Sequence, residues 1–165
     1  MTQRRLKFVE PMKAMVAPAP PYDGRWLYEV KFDGFRVLAI KNGREVELWS
    51  RNKKRLDERF PDVARAVAKL PVKACILDGE VCALNEQGKS SFQLLQNSAE
   101  TSHPVVYYVF DLLFEGGRDL RRLPLTERRA LSQSRAARNT APARSDSEPT
   151  PHFLFSPLLP SRLAL

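Results

Sequence analysis

The chain has 165 residues, and its 27 lysines and arginines against 19 aspartates and glutamates give a formal net charge of +8. This length suffices for one domain with a buried core, and the charge is compatible with a polyanionic partner. Two cysteines are too few for a disulfide framework, and no run of about 18 apolar residues indicates a membrane span. Because no apolar signal core follows Met1, we expect a cytoplasmic protein without membrane contact.

Strand and helix signals alternate along most of the chain. Strands are predicted at residues 26–31, 35–41, 45–49, 74–84 and 105–113. Asn42-Gly43 predicts a hairpin turn between the second and third of these strands. Pro61 and Pro71 bracket a helix with one apolar face, and Thr126 can cap a helix that reaches Leu131. Hairpins with interspersed helices indicate an α+β fold, not a parallel doubly wound sheet.

The first of these strands leads into the pattern E-x-K-x-D-G-x-R, in which the lysine is Lys31. A lysine amine attacks phosphorus only when it is neutral, and nearby cations or desolvation favour that form. Arg36, Arg51 and a divalent metal would supply positive charge and would also neutralise the phosphate under attack. The pattern therefore predicts a covalent lysyl–nucleotide intermediate.

The neighbours of Lys31 predict how its side chain is presented. Asp33-Gly34 is typical of a tight turn, because glycine tolerates backbone angles that other residues avoid. Glu29 is expected on the same strand face as Lys31, and Asp33 is expected to orient the turn and not to act as a base. Taken alone, the run is equally compatible with a surface hairpin that carries scattered charges.

Three further segments carry candidate site residues. Arg51 follows a strand and could reach a phosphate or ribose, although alone it is more typical of a solvated loop. Asp78-Gly79-Glu80 interrupts an apolar strand, so its carboxylates are expected to meet a cation, a metal or a hydroxyl, unless the glycine marks an exposed turn or bulge. Phe110 could stack on a purine base, although a phenylalanine at such a position more commonly belongs to the core.

The order and spacing of these segments resemble those of ATP-dependent DNA ligases, particularly the bacterial ligases that act with Ku in end joining. The matched segments are residues 8–15, 26–36, 48–52, 76–81, 91–96, 110–114, 117 and 123–129. The resemblance implies the ATP-grasp-like nucleotidyltransferase fold of a ligase adenylation domain, built mainly of antiparallel sheets with flanking helices. It further implies ATP and Mg²⁺ or Mn²⁺ as cofactors, with nicked double-stranded DNA and Ku as partners.

The resemblance also implies a role for each candidate residue. Lys31 would be the catalytic nucleophile, which takes AMP from ATP and passes it to the 5′-phosphate at a nick before the 3′-hydroxyl displaces AMP. The roles implied for the other residues are adenine contact for Glu29, stacking on adenine for Phe110, ribose and phosphate contact for Arg36 and Arg51, and ribose binding or metal placement for Glu80.

The later family motifs E-G-x-x-x-K and K-x-K are not found, since the last lysine is Lys89. From residue 132 to 165 the composition predicts a disordered or out-of-frame tail, in which Phe153–Phe155 could form a strand without a partner. We therefore expect an adenylation domain at residues 1–131 that is C-terminally truncated and weakly active or inactive alone. The alternatives are a non-catalytic nucleotide- or DNA-binding remnant and an RNA ligase or capping-type nucleotidyltransferase.

Overall fold

The computed structural model describes residues 5–19, 26–96, 103–139, 153–155 and 158–159. The strands are β1 (Tyr28–Glu29), β2 (Phe35–Asn42), β3 (Glu45–Ser50), β4 (Ala74–Leu84), β5 (Ser90–Ser91), β6 (Val105–Glu115), β7 (Arg118–Asp119), β8 (Phe153–Phe155) and β9 (Leu158–Leu159). The helices are α1 (Pro61–Ala68), α2 (Phe92–Gln96) and α3 (Leu125–Asn139).

The described strands form one large sheet and one small pair. The large sheet has the order β3-β2-β4-β6-β7, with β5 beside β4 and β8 beside β6. Its neighbours run antiparallel except β6 and β8, which are parallel. β1 pairs with β9 in a separate antiparallel ribbon. The predicted α+β class, mainly antiparallel sheets with flanking helices, is confirmed.

The interior strand β2 is buried on both of its faces. Its residues Val37, Leu38, Ala39 and Ile40 are all 0–1% exposed. Because successive side chains of a strand point to opposite faces, Val37 and Ala39 join a core cluster with residues of α1 and α2. Leu38 and Ile40 join a second cluster, which the N-terminal segment 6–9 covers.

The N-terminal segment is fixed to the second face by polar and aromatic contacts. The Leu6 backbone N–H donates to Asn42 Oδ1 at 2.9 Å, and Asn42 Nδ2 donates to the Leu6 carbonyl at 3.2 Å. The Phe8 ring packs edge-on against Trp49, with the ring centroids 5.9 Å apart. These contacts fix the start of the segment whose next residues, Val9, Glu10 and Met12, line a cavity beside the sheet.

The pairing of β4 with β6 is interrupted by two irregularities. Asp78 pairs with Asp111, whereas Gly79 pairs with Val109, so Phe110 is an extra residue in β6. Such a bulge bends the strand and redirects the side chain of the extra residue. The direction of the Phe110 side chain is therefore set by the bulge and not by the regular alternation of β6.

Several predicted boundaries differ from the structure. The strand predicted at residues 26–31 is reduced to β1, because the chain leaves the strand to contact β5 and α2. The helix predicted to end at Leu131 continues as α3 to Asn139, through residues that are mostly good helix formers. The strand predicted at β8 is present, but the expectation that it lacks a partner was wrong, since it pairs with β6.

The domain boundary predicted after residue 131 falls inside α3, and the two-part division of the chain stays a prediction. Residues 140–152, 156–157 and 160–165 of the predicted tail lie outside the described residues. Among the described helices, none has the length and apolar character needed to cross a membrane.

Candidate nucleotide site

A cavity of about 790 Å³ opens between the N-terminal segment, β1, the start of β2 and the middle of β4 and β6. Pockets of this size hold small-molecule and cofactor ligands. Its lining includes five of the six predicted site residues, namely Glu29, Lys31, Arg36, Glu80 and Phe110. The fold therefore brings together side chains from four strands and one connecting segment.

Lys31 lies exposed in an irregular segment between β1 and β2, not on a strand beside Glu29 as predicted. Asp33 anchors this segment: its backbone N–H donates to Ser90 Oγ at 3.1 Å, and its Oδ2 accepts from the Phe92 N–H at 3.0 Å. The carboxylate is thus bonded to the first residue of α2, as expected for a group that orients the lysine segment.

The residues on either side of Asp33 press the same segment against the sheet. The Phe32 ring stacks on Tyr108 of β6, with centroids 4.0 Å apart and planes 9° from parallel. A Cβ added to Gly34 would lie 2.2 Å from the Val81 carbonyl oxygen and 2.8 Å from Cys82 Sγ. Gly34 is therefore required by a close approach to β4, whereas the predicted reason, a special backbone angle, was wrong, since its φ is not positive.

Arg36 and Asp78 form a bidentate pair at the cavity wall. Arg36 Nε donates to Asp78 Oδ1 at 3.1 Å and Nη2 to Oδ2 at 2.8 Å, and the Asp78 side chain is 5% exposed. Burial raises the pKa of Asp78, while the bond from Arg36 opposes that shift. The cation expected for this carboxylate is thus Arg36. β4 is continuous, so the alternative of an exposed turn at residues 78–80 is wrong. The alternative of a bulge at the glycine is partly right, because the ladder is irregular between Asp78 and Gly79, with the extra residue in β6.

The remaining contacts of Arg36 keep its guanidinium inside the cavity. Nη1 donates to the Met12 carbonyl at 2.8 Å, and the guanidinium carbon stands 5.4 Å from the centre of the Phe110 ring. Arg36 therefore holds the N-terminal segment, β4 and the aromatic together. Its predicted contact with ribose or phosphate stays a prediction.

Glu80 faces the cavity opposite Arg36, with which it pairs across β2 and β4. Burial is the main cause that raises the pKa of Glu80 to about 7, although the charges of Arg36 and Lys31 lower it. A bound cation would favour the ionised carboxylate in the same way. Near neutral pH this group can therefore exist with or without its proton, depending on what the cavity holds.

The described residues contain no cluster of three or more His, Cys, Asp or Glu side chains that could enclose a metal ion. Mg²⁺ does not need such a cage, because it commonly binds one or two carboxylates together with phosphate oxygens and water. The carboxylate of Glu80 in a cavity of this size fits that mode of binding.

Two arginines of α3 that the residue-level predictions did not single out also support the site. Arg128 binds Asp111 through Nε–Oδ1 and Nη2–Oδ2 contacts of 2.7 Å each. Arg129 forms an ion pair with Glu29 and donates to the Phe110 carbonyl at 3.4 Å. Two consecutive arginines in a polar helix could have marked these positions as candidates. The neighbouring sequence does not reveal their partners, which are distant along the chain.

Arg51 is not brought to the cavity. It is exposed in the turn after β3 and does not line the cavity wall. β3 is the edge strand at the far end of the order β3-β2-β4-β6, which separates its end from the aromatic wall. The predicted contact between Arg51 and a nucleotide stays a prediction that this arrangement does not support.

Comparison with known sequences agrees with this geometry. Residues 10–145 match the family model of the ATP dependent DNA ligase domain. The chain is 38% identical over 126 residues to the multifunctional non-homologous end joining protein LigD of Pseudomonas aeruginosa, covering 75% of this chain and 15% of that protein. It is 35% identical over 133 residues to DNA ligase C of Mycobacterium tuberculosis, covering 74% of this chain and 36% of that protein. The chain thus spans well under two thirds of either relative.

Solved structures show the same fold. The ligase domain of Mycobacterium tuberculosis LigD matches with a TM-score of 0.68 at 28% identity, over 84% of this chain and 42% of that chain. A mycobacterial DNA ligase D complexed with ATP and MES matches with the same values. The fold predicted from the resemblance, that of a ligase adenylation domain, is confirmed.

Proposed function

Because the chain belongs to the ATP-dependent DNA ligase domain family, we propose that it is an adenylation domain in which Lys31 takes AMP from ATP. The observation that carries this proposal is the gathering of Glu29, Lys31, Arg36, Glu80 and Phe110 around one cavity of about 790 Å³. A solved relative is described as a complex with ATP, which supports ATP as the ligand of this cavity.

In the proposed step the lone pair of Lys31 Nζ forms a bond to the α-phosphorus of ATP. The bond from that phosphorus to the bridging oxygen breaks, and its electron pair leaves with pyrophosphate. The nitrogen, which then carries two hydrogens, loses one proton to solvent and keeps the other, and a lysine phosphoramidate of AMP remains. Phe110 would stack on the adenine and Arg36 would contribute positive charge beside the phosphates.

Mg²⁺ or Mn²⁺ is the proposed metal, and Glu80 is the residue that would hold it. When bound, the ion would neutralise charge on the phosphates during transfer. The carboxylate must be ionised to bind it, so metal and proton compete for Glu80 near the pH at which this group titrates.

The acceptor proposed for the AMP is the 5′-phosphate at a nick in double-stranded DNA, with Ku as a further partner and the cytoplasm as the compartment. The support is the family itself and the name of the Pseudomonas aeruginosa relative, which places that protein in non-homologous end joining. The net charge of +8 also favours a polyanionic substrate.

The test is covalent labelling of the chain with ATP radiolabelled at the α-phosphate, in the presence of Mg²⁺. The unsubstituted chain is expected to acquire label that acid removes and denaturants do not, even if the extent is small. Lys31→Arg keeps the positive charge but removes the nucleophile, and it should acquire none. Lys89→Ala, at an exposed lysine outside the cavity lining, should label like the unsubstituted chain.

Equal labelling of the Lys31→Arg variant would rule out the proposed nucleophile. A chain that binds ATP without acquiring any label would contradict the transfer step and leave a nucleotide-binding role. ATP affinity, measured in the same preparations, separates these outcomes.

A further inference from the structure

Arg129 joins two walls of the cavity without lining it. Its guanidinium forms an ion pair with the Glu29 carboxylate of β1, and its Nη1 donates to the Phe110 carbonyl of β6 at 3.4 Å. The side chain of Arg129 is 5% exposed and that of Glu29 is 34% exposed. A charge so far removed from water is costly unless it is paired. Removing either partner should therefore disturb the other.

The contact with Phe110 falls at the bulge of β6. Asp111 and Val109 pair with consecutive residues of β4, which leaves Phe110 between them without a place in the ladder. A bulge redirects a side chain, and a hydrogen bond to the carbonyl of the bulged residue helps to fix that direction. Arg129 thus acts on the orientation of the aromatic ring through its backbone.

The contact with Glu29 fixes the opposite wall. β1 has two residues and pairs with β9 alone among the described strands. Strand pairing therefore contributes little to holding β1 in place. Lys31 follows Glu29 by two positions. Holding the Glu29 carboxylate therefore also limits where the segment that carries the lysine can move.

We propose that Arg129 is a positioning residue for the purine base, which sets the Glu29 carboxylate and the Phe110 ring at the spacing that adenine requires. The inference rests on the proposed function, since it concerns the same cavity. Adenine presents an amino group at the edge where guanine presents a carbonyl oxygen. A carboxylate held at that edge accepts from adenine and repels guanine, so Arg129 governs the preference for ATP over GTP by way of Glu29.

The test compares equilibrium affinities for ATP and GTP, each with Mg²⁺, in the full chain and its variants. Arg129→Met removes the charge at similar length and is expected to weaken ATP binding about tenfold, with a smaller change for GTP, so that the ATP-to-GTP preference falls. Glu29→Gln should lower the same preference. Arg129→Lys should restore part of it. The double variant should be little weaker than Arg129→Met alone, because the contact that Glu29→Gln alters is one that Arg129→Met already removes.

Arg65→Met is the matched control, because Arg65 forms an exposed ion pair with Asp62 on α1, away from the cavity lining. It should leave both affinities unchanged. A purely structural role for Arg129 would lower the two affinities by the same factor. An unchanged ATP-to-GTP preference in folded Arg129→Met overturns the inference and leaves the proposed function intact.

If Arg129→Met does not fold, the other two variants decide the matter. An unchanged preference in both Arg129→Lys and Glu29→Gln overturns the inference, whereas a lowered preference in Glu29→Gln with partial loss in Arg129→Lys supports it. If the unsubstituted chain binds neither nucleotide, the proposed function fails, and the inference that depends on it fails as well.

Discussion

Two carboxylates on one face of β4 have different environments. Asp78 and Glu80 are two positions apart, so both point to the same side of the strand. Asp78 is bonded bidentately by Arg36, whereas Glu80 faces the cavity and its pKa is raised to about 7, mainly by burial. The Asp78 carboxylate is thus held in place by its salt bridge with Arg36, while the Glu80 carboxylate remains able to exchange its proton for a cation.

Glu80 should make the stability of the chain depend on pH in a definite direction. An ordinary glutamate releases its proton near pH 4.5, but folded Glu80 keeps it to about pH 7. Between these values the folded state binds more protons than the unfolded state, so stability falls as pH rises. Glu80→Gln removes this contribution. The free energy of unfolding of the unsubstituted chain, minus that of Glu80→Gln, should therefore fall from about pH 4.5 to 7 and then level off.

Urea unfolding at a series of pH values measures this difference. Glu86→Gln, at an exposed loop position between β4 and β5, serves as the control and should give a curve parallel to that of the unsubstituted chain. Parallel curves for Glu80→Gln as well would show that Glu80 does not titrate in the window that its burial implies.

At the scale of elements, Gly34, the residue just before β2, lies in close contact with the backbone of β4. A Cβ on Gly34 would lie 2.2 Å from the Val81 carbonyl oxygen, a backbone atom that cannot move aside alone. Gly34→Ala should therefore cost about 3 kcal/mol, the upper part of the range for overpacking. Gly43→Ala is the control: its φ is +65° and no atom lies within 4 Å of the added Cβ, so it should cost about 1 kcal/mol.

Denaturant unfolding of both alanine variants provides the measurement. Gly34→Ala should also lower the extent of Lys31 labelling, because the displaced backbone carries the lysine segment, whereas Gly43→Ala should not. A Gly34→Ala variant no less stable than Gly43→Ala would show that the segment can move away from β4 at little cost.

The long elements were predictable because their signals are local. β2, β3, β4 and β6 follow apolar or alternating runs and were placed to within about two residues. The two-residue strands β5 and β7 and the short helix α2 were not predicted, because such short elements are defined by their partners. The length of β1 was overestimated for the same reason, because the apolar residues around it have no partner strand with which to continue the ladder.

The site was predictable to the extent that its residues belong to local motifs. The motif around Lys31 supplied Glu29 and Arg36, which the fold places with Glu80 and Phe110 as expected. The contacts that join these residues were not predictable, because they link distant parts of the chain. The hydrogen bond that Arg36 donates to Asp78 joins residues 42 positions apart. The sequence also does not reveal strand order, so it could not show that Arg51, whose role the resemblance implies, lies after an edge strand and outside the cavity lining.

For the whole molecule, β8 and β9 close edges that the rest of the described fold leaves open. β8 pairs with β6 over residues 107–109, and β9 pairs with both residues of β1. An unpaired strand edge promotes association with other chains. A chain ending at Asn139 should therefore associate at lower concentrations than the unsubstituted chain. It should also bind ATP more weakly, since β1 would then depend on the ion pair between Glu29 and Arg129.

Sedimentation velocity over a range of concentrations, with ATP affinity measured in parallel, tests this expectation. Leu154→Pro in the full-length chain, opposite Tyr108 in the ladder, disturbs β8 at unchanged length and leaves β9 in place. It should reproduce the increased association of the shortened chain but little of its loss of ATP affinity, because β1 keeps its partner. If the shortened chain associates and binds ATP as the unsubstituted chain does, these two strands do not protect the edges of β6 and β1 in solution. The cavity wall at β1 would then be held by Arg129, without help from the strand ladder.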